Sequence, residues 1–232
     1  MDRPQIAAAL EACARELDAG QRVDLKRSGF WRAVDAVKRD RALVEAFAPR
    51  IADIDRRAFL ASTPLVFPGA VGVAILSAGL VVGLILVGAA FPLSPDPLGG
   101  VALLLGAGAL IGTTHGLAHL VVGRLFGMRF THWYSRPPAQ PQPGFKVDYA
   151  TYLRAPADRR AWMHASGAIV TKLVPFVLVP VGLAARAPGW AIAILVLVGL
   201  AQIATDVLFS VRASDWKKFL RERRYARQGV GS

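Results

Sequence analysis

Cysteine is nearly absent: one occurs in 232 residues. The lone Cys13 excludes an intramolecular disulfide framework and any multi-cysteine metal site, and its place on an amphipathic stripe suits a small apolar filler. Acidic residues are also scarce, 16 against 28 Lys and Arg, which leaves a net charge of +12. A surplus of that size points to nucleic acid when a basic stripe with interleaved aromatics is present, and none is, so no nucleic-acid partner is expected. No secretory signal is expected at the start, because roughly the first 55 residues are of mixed charge. Basic residues are missing from two long stretches as well. None lies between Arg57 and Arg124, and only Lys172 and Arg186 lie between Arg160 and Arg212. The apolar stretches lack the polar spans and repeat symmetry that a transporter would want.

What fills those stretches is apolar. The chain is 54% hydrophobic with a mean hydropathy of +0.41, which is too apolar for an ordinary soluble domain. Four runs, at about 69–91, 101–125, 164–185 and 190–211, are each long enough to cross a bilayer core of roughly 30 Å. The turn from Phe91 to Gly100 has no Lys or Arg, whereas the segments before 59, between 124 and 160 and after 212 are basic. The positive-inside rule then predicts four spans, with both termini in the cytoplasm and the chain integral to the plasma membrane. Residues 1–58 read as two or three amphipathic helices, with stripes at Ile6, Leu10, Cys13 and Leu17, at Phe30, Val34 and Val37, and at Leu43, Phe47, Ile51 and Ile54. They form a cytoplasmic helical segment, and 212–232 a basic cytoplasmic tail. Between the second and third spans, Met128, Phe130, His132 and Tyr134 alternate with Arg129, Thr131 and Trp133, predicting a short strand at the interface. The proline-rich stretch from Arg136 to Gly144 is expected to be irregular, as is the entry from Thr63 to Pro68, and 146–152 to return as a second strand or an extended segment. The fold class is thus an all-α polytopic membrane protein of four helices with a short interfacial β-like loop between 59 and 211.

The chemistry concentrates in the second span. His115 and His119 are spaced i, i+4, which puts both imidazoles on one helix face and offers two nitrogen ligands to one metal ion. Ionisable groups in a span are costly and by default suggest function. Counting about 1.5 Å per residue from the outer ends, His115 lies roughly 22 Å in and Asp206, on the fourth span, roughly 24 Å in. Asp206 is the sole acidic residue of the spans. Two imidazoles and this carboxylate at matching depth would make a three-ligand Zn²⁺ set with an open fourth position. Against that stand an ion pair of Asp206 with Lys172, and hydrogen bonding of the histidines to Thr113, Thr114 or Thr171. The glycines Gly72, Gly79, Gly83, Gly106, Gly108 and Gly112 read as helix-packing surfaces.

The segment His115-Gly116-Leu117-Ala118-His119, the following Gly127, and the strand-like stretch beyond it resemble the site-2 protease family of intramembrane zinc metalloproteases. The likeness continues through Arg159 to Ala168 and on to Asp206, covering about 101–211. It implies His115, His119 and Asp206 as zinc ligands and a spanning helix of a substrate or partner protein as the bound molecule, besides the lipid bilayer. Departures accompany it, and the asparagine, proline and glycine that flank the family's aspartate are absent around Asp206, where Val207 follows. Ala168 stands where the family has proline, Thr171 or Lys172 where it has asparagine, and the family's general-base glutamate is Gly116 here. Loss of a positioned base typically costs about 10²–10⁴-fold in rate. His164 and Lys172 are the candidate substitutes. Two functions are therefore expected to compete: a divergent intramembrane metalloprotease, and a non-catalytic scaffold that grips a helix, with Lys172–Asp206 as a structural ion pair.

Overall fold

The computed structural model describes residues 1–137, 140–208 and 214–227. The last part of the predicted fourth span (209–211), positions 212–213 and 228–232 of the tail, and two positions of the proline-rich stretch (138–139) lie outside the described residues. The chain divides into two compact units: residues 1–70, 123–161 and 220–232 form one, and 71–122 with 162–219 form the other.

In the first unit, α1 (Arg3–Asp18) starts at a reciprocal cap between Asp2 and Gln5 and buries Ile6, Leu10, Cys13 and Leu17, the stripe predicted from their spacing. Gly20, at φ +72°, turns the chain after it. Helix α2 (Phe30–Val37) buries Phe30, Val34 and Val37. Helix α3 (Arg41–Ser62) is capped by Asp40, whose carboxylate accepts from the amides of Ala42 and Leu43. Its buried stripe includes the predicted Ile51 and Ile54. In the first turns, however, Val44 and Ala48 face inward while Leu43 and Phe47 are half-buried.

Strand β1 (Leu65–Pro68) replaces the irregular entry expected there. It pairs antiparallel with β2 (Phe130–Arg136), which pairs antiparallel with β3 (Gln140–Val147). The alternation around Phe130 therefore forms a central strand, held by the cross-strand pairs Phe67–Trp133 and Phe130–Phe145. Two expectations fail here for local reasons. The proline-rich stretch is largely β3, an edge strand of the sheet order β1-β2-β3, where a residue without an N–H is tolerated. The stretch 146–152, expected as a second strand or an extended segment, stays extended only to Val147, because the Asp148 carboxylate accepts from the Ala150 and Thr151 amides and starts α6 (Tyr149–Arg154). Alternation and proline content carry no information about such a cap.

This unit also buries charge. Glu222, on α9 (Asp215–Arg227), is fully buried. It accepts from Lys38 Nζ at 2.6 Å, Arg160 Nε at 2.8 Å and Tyr152 Oη at 3.1 Å. Burial acts to raise its carboxyl, but the charges of Lys38 and Arg160 outweigh that and hold its pKa at about 2.

The second unit holds the apolar helices α4 (Gly69–Leu93), α5 (Pro97–Leu125), α7 (Ala157–Ala184) and α8 (Gly189–Leu208). All four are long and apolar enough to cross a membrane. Their outward residues are bare: Leu84, Ile85, Leu105, Leu183 and Leu197 are each more than half exposed, as suits a surface that meets lipid tails. Inward, Val87, Leu103, Leu110, Leu178 and Leu195 share one core cluster. Close approach needs Gly83 and Gly106, since a Cβ on Gly83 would meet the Leu110 side chain at 2.9 Å and one on Gly106 the Gly83 carbonyl at 2.9 Å. Gly79 faces Thr113 in the same way, whereas Gly108 and Gly112 face open space and do not pack as expected.

Candidate metal centre

The site is built across α5, α7 and the first turn of α9. Helical spacing places His115 and His119 one turn apart on α5, with ring centroids 4.8 Å apart. On α7, Met163, Gly167 and Thr171 recur every four residues and so form one stripe. This stripe meets the histidines in reverse order: His119 Nδ1 lies 2.6 Å from the Met163 carbonyl oxygen, and His115 Nδ1 lies 2.9 Å from Thr171 Oγ1. Between these contacts, Gly167 leaves the room that the His119 ring occupies, because a Cβ there would overlap the imidazole.

These contacts fix where the ring protons are. A carbonyl oxygen only accepts, so His119 carries its hydrogen on Nδ1. Thr171 Oγ1 donates its single proton to the Gly167 carbonyl oxygen at 2.7 Å, so it accepts from His115, which also carries its hydrogen on Nδ1. With Nδ1 of each ring engaged on α7, Nε2 is the nitrogen left to face the other ring, and the two Nε2 atoms lie 3.3 Å apart. The third member is Asp215, whose Oδ2 is 3.1 Å from His119 Nε2 and 3.3 Å from His115 Nε2.

Asp215 lies in the first turn of α9, after Ser214, whose hydroxyl accepts from the Lys217 amide. A helix N-terminus favours a carboxylate there. Its other oxygen, Oδ1, accepts from Lys218 Nζ at 3.0 Å, which leaves Oδ2 alone directed at the imidazoles. Burial acts to raise this carboxyl, but His115, His119 and Lys218 favour its charged form by more and hold it below the ordinary carboxylate range. The three side chains are each 17–24% exposed. Two imidazole nitrogens and a carboxylate oxygen this close need a proton or a metal cation among them to offset their repulsion. Their ligand atoms all fall within 4.8 Å of one another, and the group could hold a metal ion.

Asp206 takes a different place from the one expected for it. It forms an ion pair with Lys172, whose Nζ also donates to the Ala168 carbonyl oxygen. The alternative read from the sequence, an ion pair of Asp206 with Lys172, is the arrangement found, and the carboxylate brought to the histidines is Asp215. His164, the other candidate substitute base, is on α7 outside the His115–His119–Asp215 group. His132 lies on β2, with Nδ1 2.9 Å from Thr131 Oγ1 and its ring beside Phe59. Thr113 and Thr114 donate to backbone carbonyls of their own helix, and of the three threonines considered Thr171 is the one that engages a histidine. Asp215 was hidden from the sequence reading by its basic neighbours. The one available signal was an acidic residue directly after a serine cap, at the head of an otherwise cationic helix.

No family model, curated protein or solved structure matches the chain.

Proposed function

We propose that this chain is a site-2 protease-like integral membrane protein whose His115, His119 and Asp215 hold Zn²⁺. The observation that carries the reading is the triangle of ligand atoms with edges of 3.1, 3.3 and 3.3 Å. Tetrahedral zinc with nitrogen and oxygen ligands at ~2.0–2.1 Å needs its ligand atoms roughly 3.3 Å apart. Both imidazoles have the far nitrogen, Nδ1, hydrogen-bonded to α7, the arrangement that orients a zinc-ligating histidine. A three-ligand set leaves one position open, which is the catalytic rather than the structural type of zinc site. When bound there, the ion would polarise a water or a peptide carbonyl. This chain's residues supply the binding, but Gly116 supplies no base.

Gly116 and the Lys172–Asp206 pair favour a second reading, a scaffold that keeps the centre and grips a membrane helix without cutting it. The test begins with the metal content of the detergent-purified chain, wild type beside His115→Ala, His119→Ala, Asp215→Ala and Asp206→Ala. Close to one zinc per chain, lost in the first three variants and kept in the fourth, is the expected result. No zinc in the wild type would overturn the metal centre. Cleavage of a transmembrane peptide then separates the two functions.

A further inference from the structure

Resting on the zinc reading above, we infer that Thr171 is a positioning residue of the centre: its hydroxyl sets which nitrogen of His115 is free for the metal. An imidazole alone in a partly apolar site exchanges its hydrogen between Nδ1 and Nε2, and only the second nitrogen faces His119 and Asp215. Thr171 removes that freedom because its own proton is committed. The Oγ1 hydrogen goes to the Gly167 carbonyl oxygen four residues back on the same helix, so toward His115 Nδ1 the hydroxyl has only lone pairs to offer. The relay is directional: Nδ1–H of His115 donates to Thr171 Oγ1, which donates to the carbonyl of Gly167. His119 needs no such relay, since the Met163 carbonyl oxygen does the same work directly. One ring is thus oriented by a fixed backbone acceptor and the other by a side chain, and the side chain can be changed without touching either ligand.

Partners of this kind typically contribute 10–100-fold to metal affinity. Thr171→Val keeps the branched shape and removes the hydroxyl; Thr171→Ser keeps the hydroxyl and removes the methyl. The experiment is Zn²⁺ affinity of the purified full chain in detergent, by competition with a chromophoric chelator, alongside the thermal midpoint of the metal-free protein. The expected result is an affinity about 10–100-fold weaker for Thr171→Val, an affinity near wild type for Thr171→Ser, and metal-free midpoints that agree. Should the valine variant not fold, Thr171→Ala takes its place against serine. Equal affinity of wild type and Thr171→Val would overturn the role of Thr171 and leave the zinc centre standing. Equal weakening by valine and serine would also overturn it, because that pattern reports packing. A wild type that binds no zinc would bring down both readings.

Discussion

Asp215→Ala and Asp206→Ala should part company in metal binding, and the difference can be worked from the site. Asp215 Oδ2 is one corner of a three-atom set whose other corners are the two imidazole nitrogens. Asp206 is held by Lys172. Removing an orienting partner costs about 10–100-fold in affinity, so removing a charged ligand itself should cost at least about 100-fold, or roughly 2.8 kcal/mol at 1.4 kcal/mol per tenfold. Ligation stabilises the folded chain by RT ln(1 + [L]/Kd). With free zinc at 100 times the wild-type Kd, the wild type gains about 2.7 kcal/mol, and a variant weakened 100-fold gains only about 0.4 kcal/mol. The assay is the zinc-induced shift of the thermal midpoint in detergent, measured at that fixed free zinc for both variants. Asp206→Ala should keep the full shift on a lowered baseline, since Lys172 then loses its partner. If Asp206→Ala lost the shift and Asp215→Ala retained it, the assignment of the third ligand would be wrong.

Other outcomes follow from the same geometry. Gly167→Ala should weaken zinc binding because its Cβ would overlap the His119 ring, whereas Gly108→Ala, facing open space, should not; parallel zinc titrations compare the two. Gly116→Glu should raise cleavage of a transmembrane peptide by about 10²–10⁴-fold if the centre is set up for hydrolysis; an unchanged rate would favour the scaffold. In the first unit, Glu222 has its folded pKa held at about 2 against an ordinary 4.5. A depressed carboxylate stabilises the fold above its ordinary pKa and loses that contribution as pH falls toward the folded value. About 3 kcal/mol should therefore disappear between pH 4.5 and 2. Denaturant titrations across that window should find the loss in the wild type and a flatter profile in Glu222→Gln.

Much of the fold was legible because it depends on periodicity and composition, which the chain displays openly. The four apolar runs became helices close to their expected bounds, and the stripe from Ile6 to Leu17 is buried as its spacing required. Features that depend on a single side chain meeting the backbone were less legible. Asp148 converts an expected strand into a helix by accepting two amide hydrogens, and prolines at a sheet edge are compatible with β3 although their number argued against regular structure.

The candidate site divides along the same line. The histidine pair needs only the helical repeat and was visible at once. Its third member was not, because counting depth along the spans compares only residues inside apolar runs. That count selected Asp206, the lone carboxylate within them, and left it open between the histidines and Lys172, the α7 lysine that takes it. Asp215 follows the fourth apolar run, beside Lys217 and Lys218, where a carboxylate reads as one charge in a solvated face. Only the structure brings it to the imidazoles, with Lys218 holding the oxygen that they do not use. The carboxylate inside the apolar run thus neutralises a charge, and the one beyond it meets the Nε2 atoms of His115 and His119. An unpaired carboxylate and an unpaired ammonium are alike costly within an apolar run, so the pairing of Lys172 with Asp206 follows from the same physics that made Asp206 conspicuous.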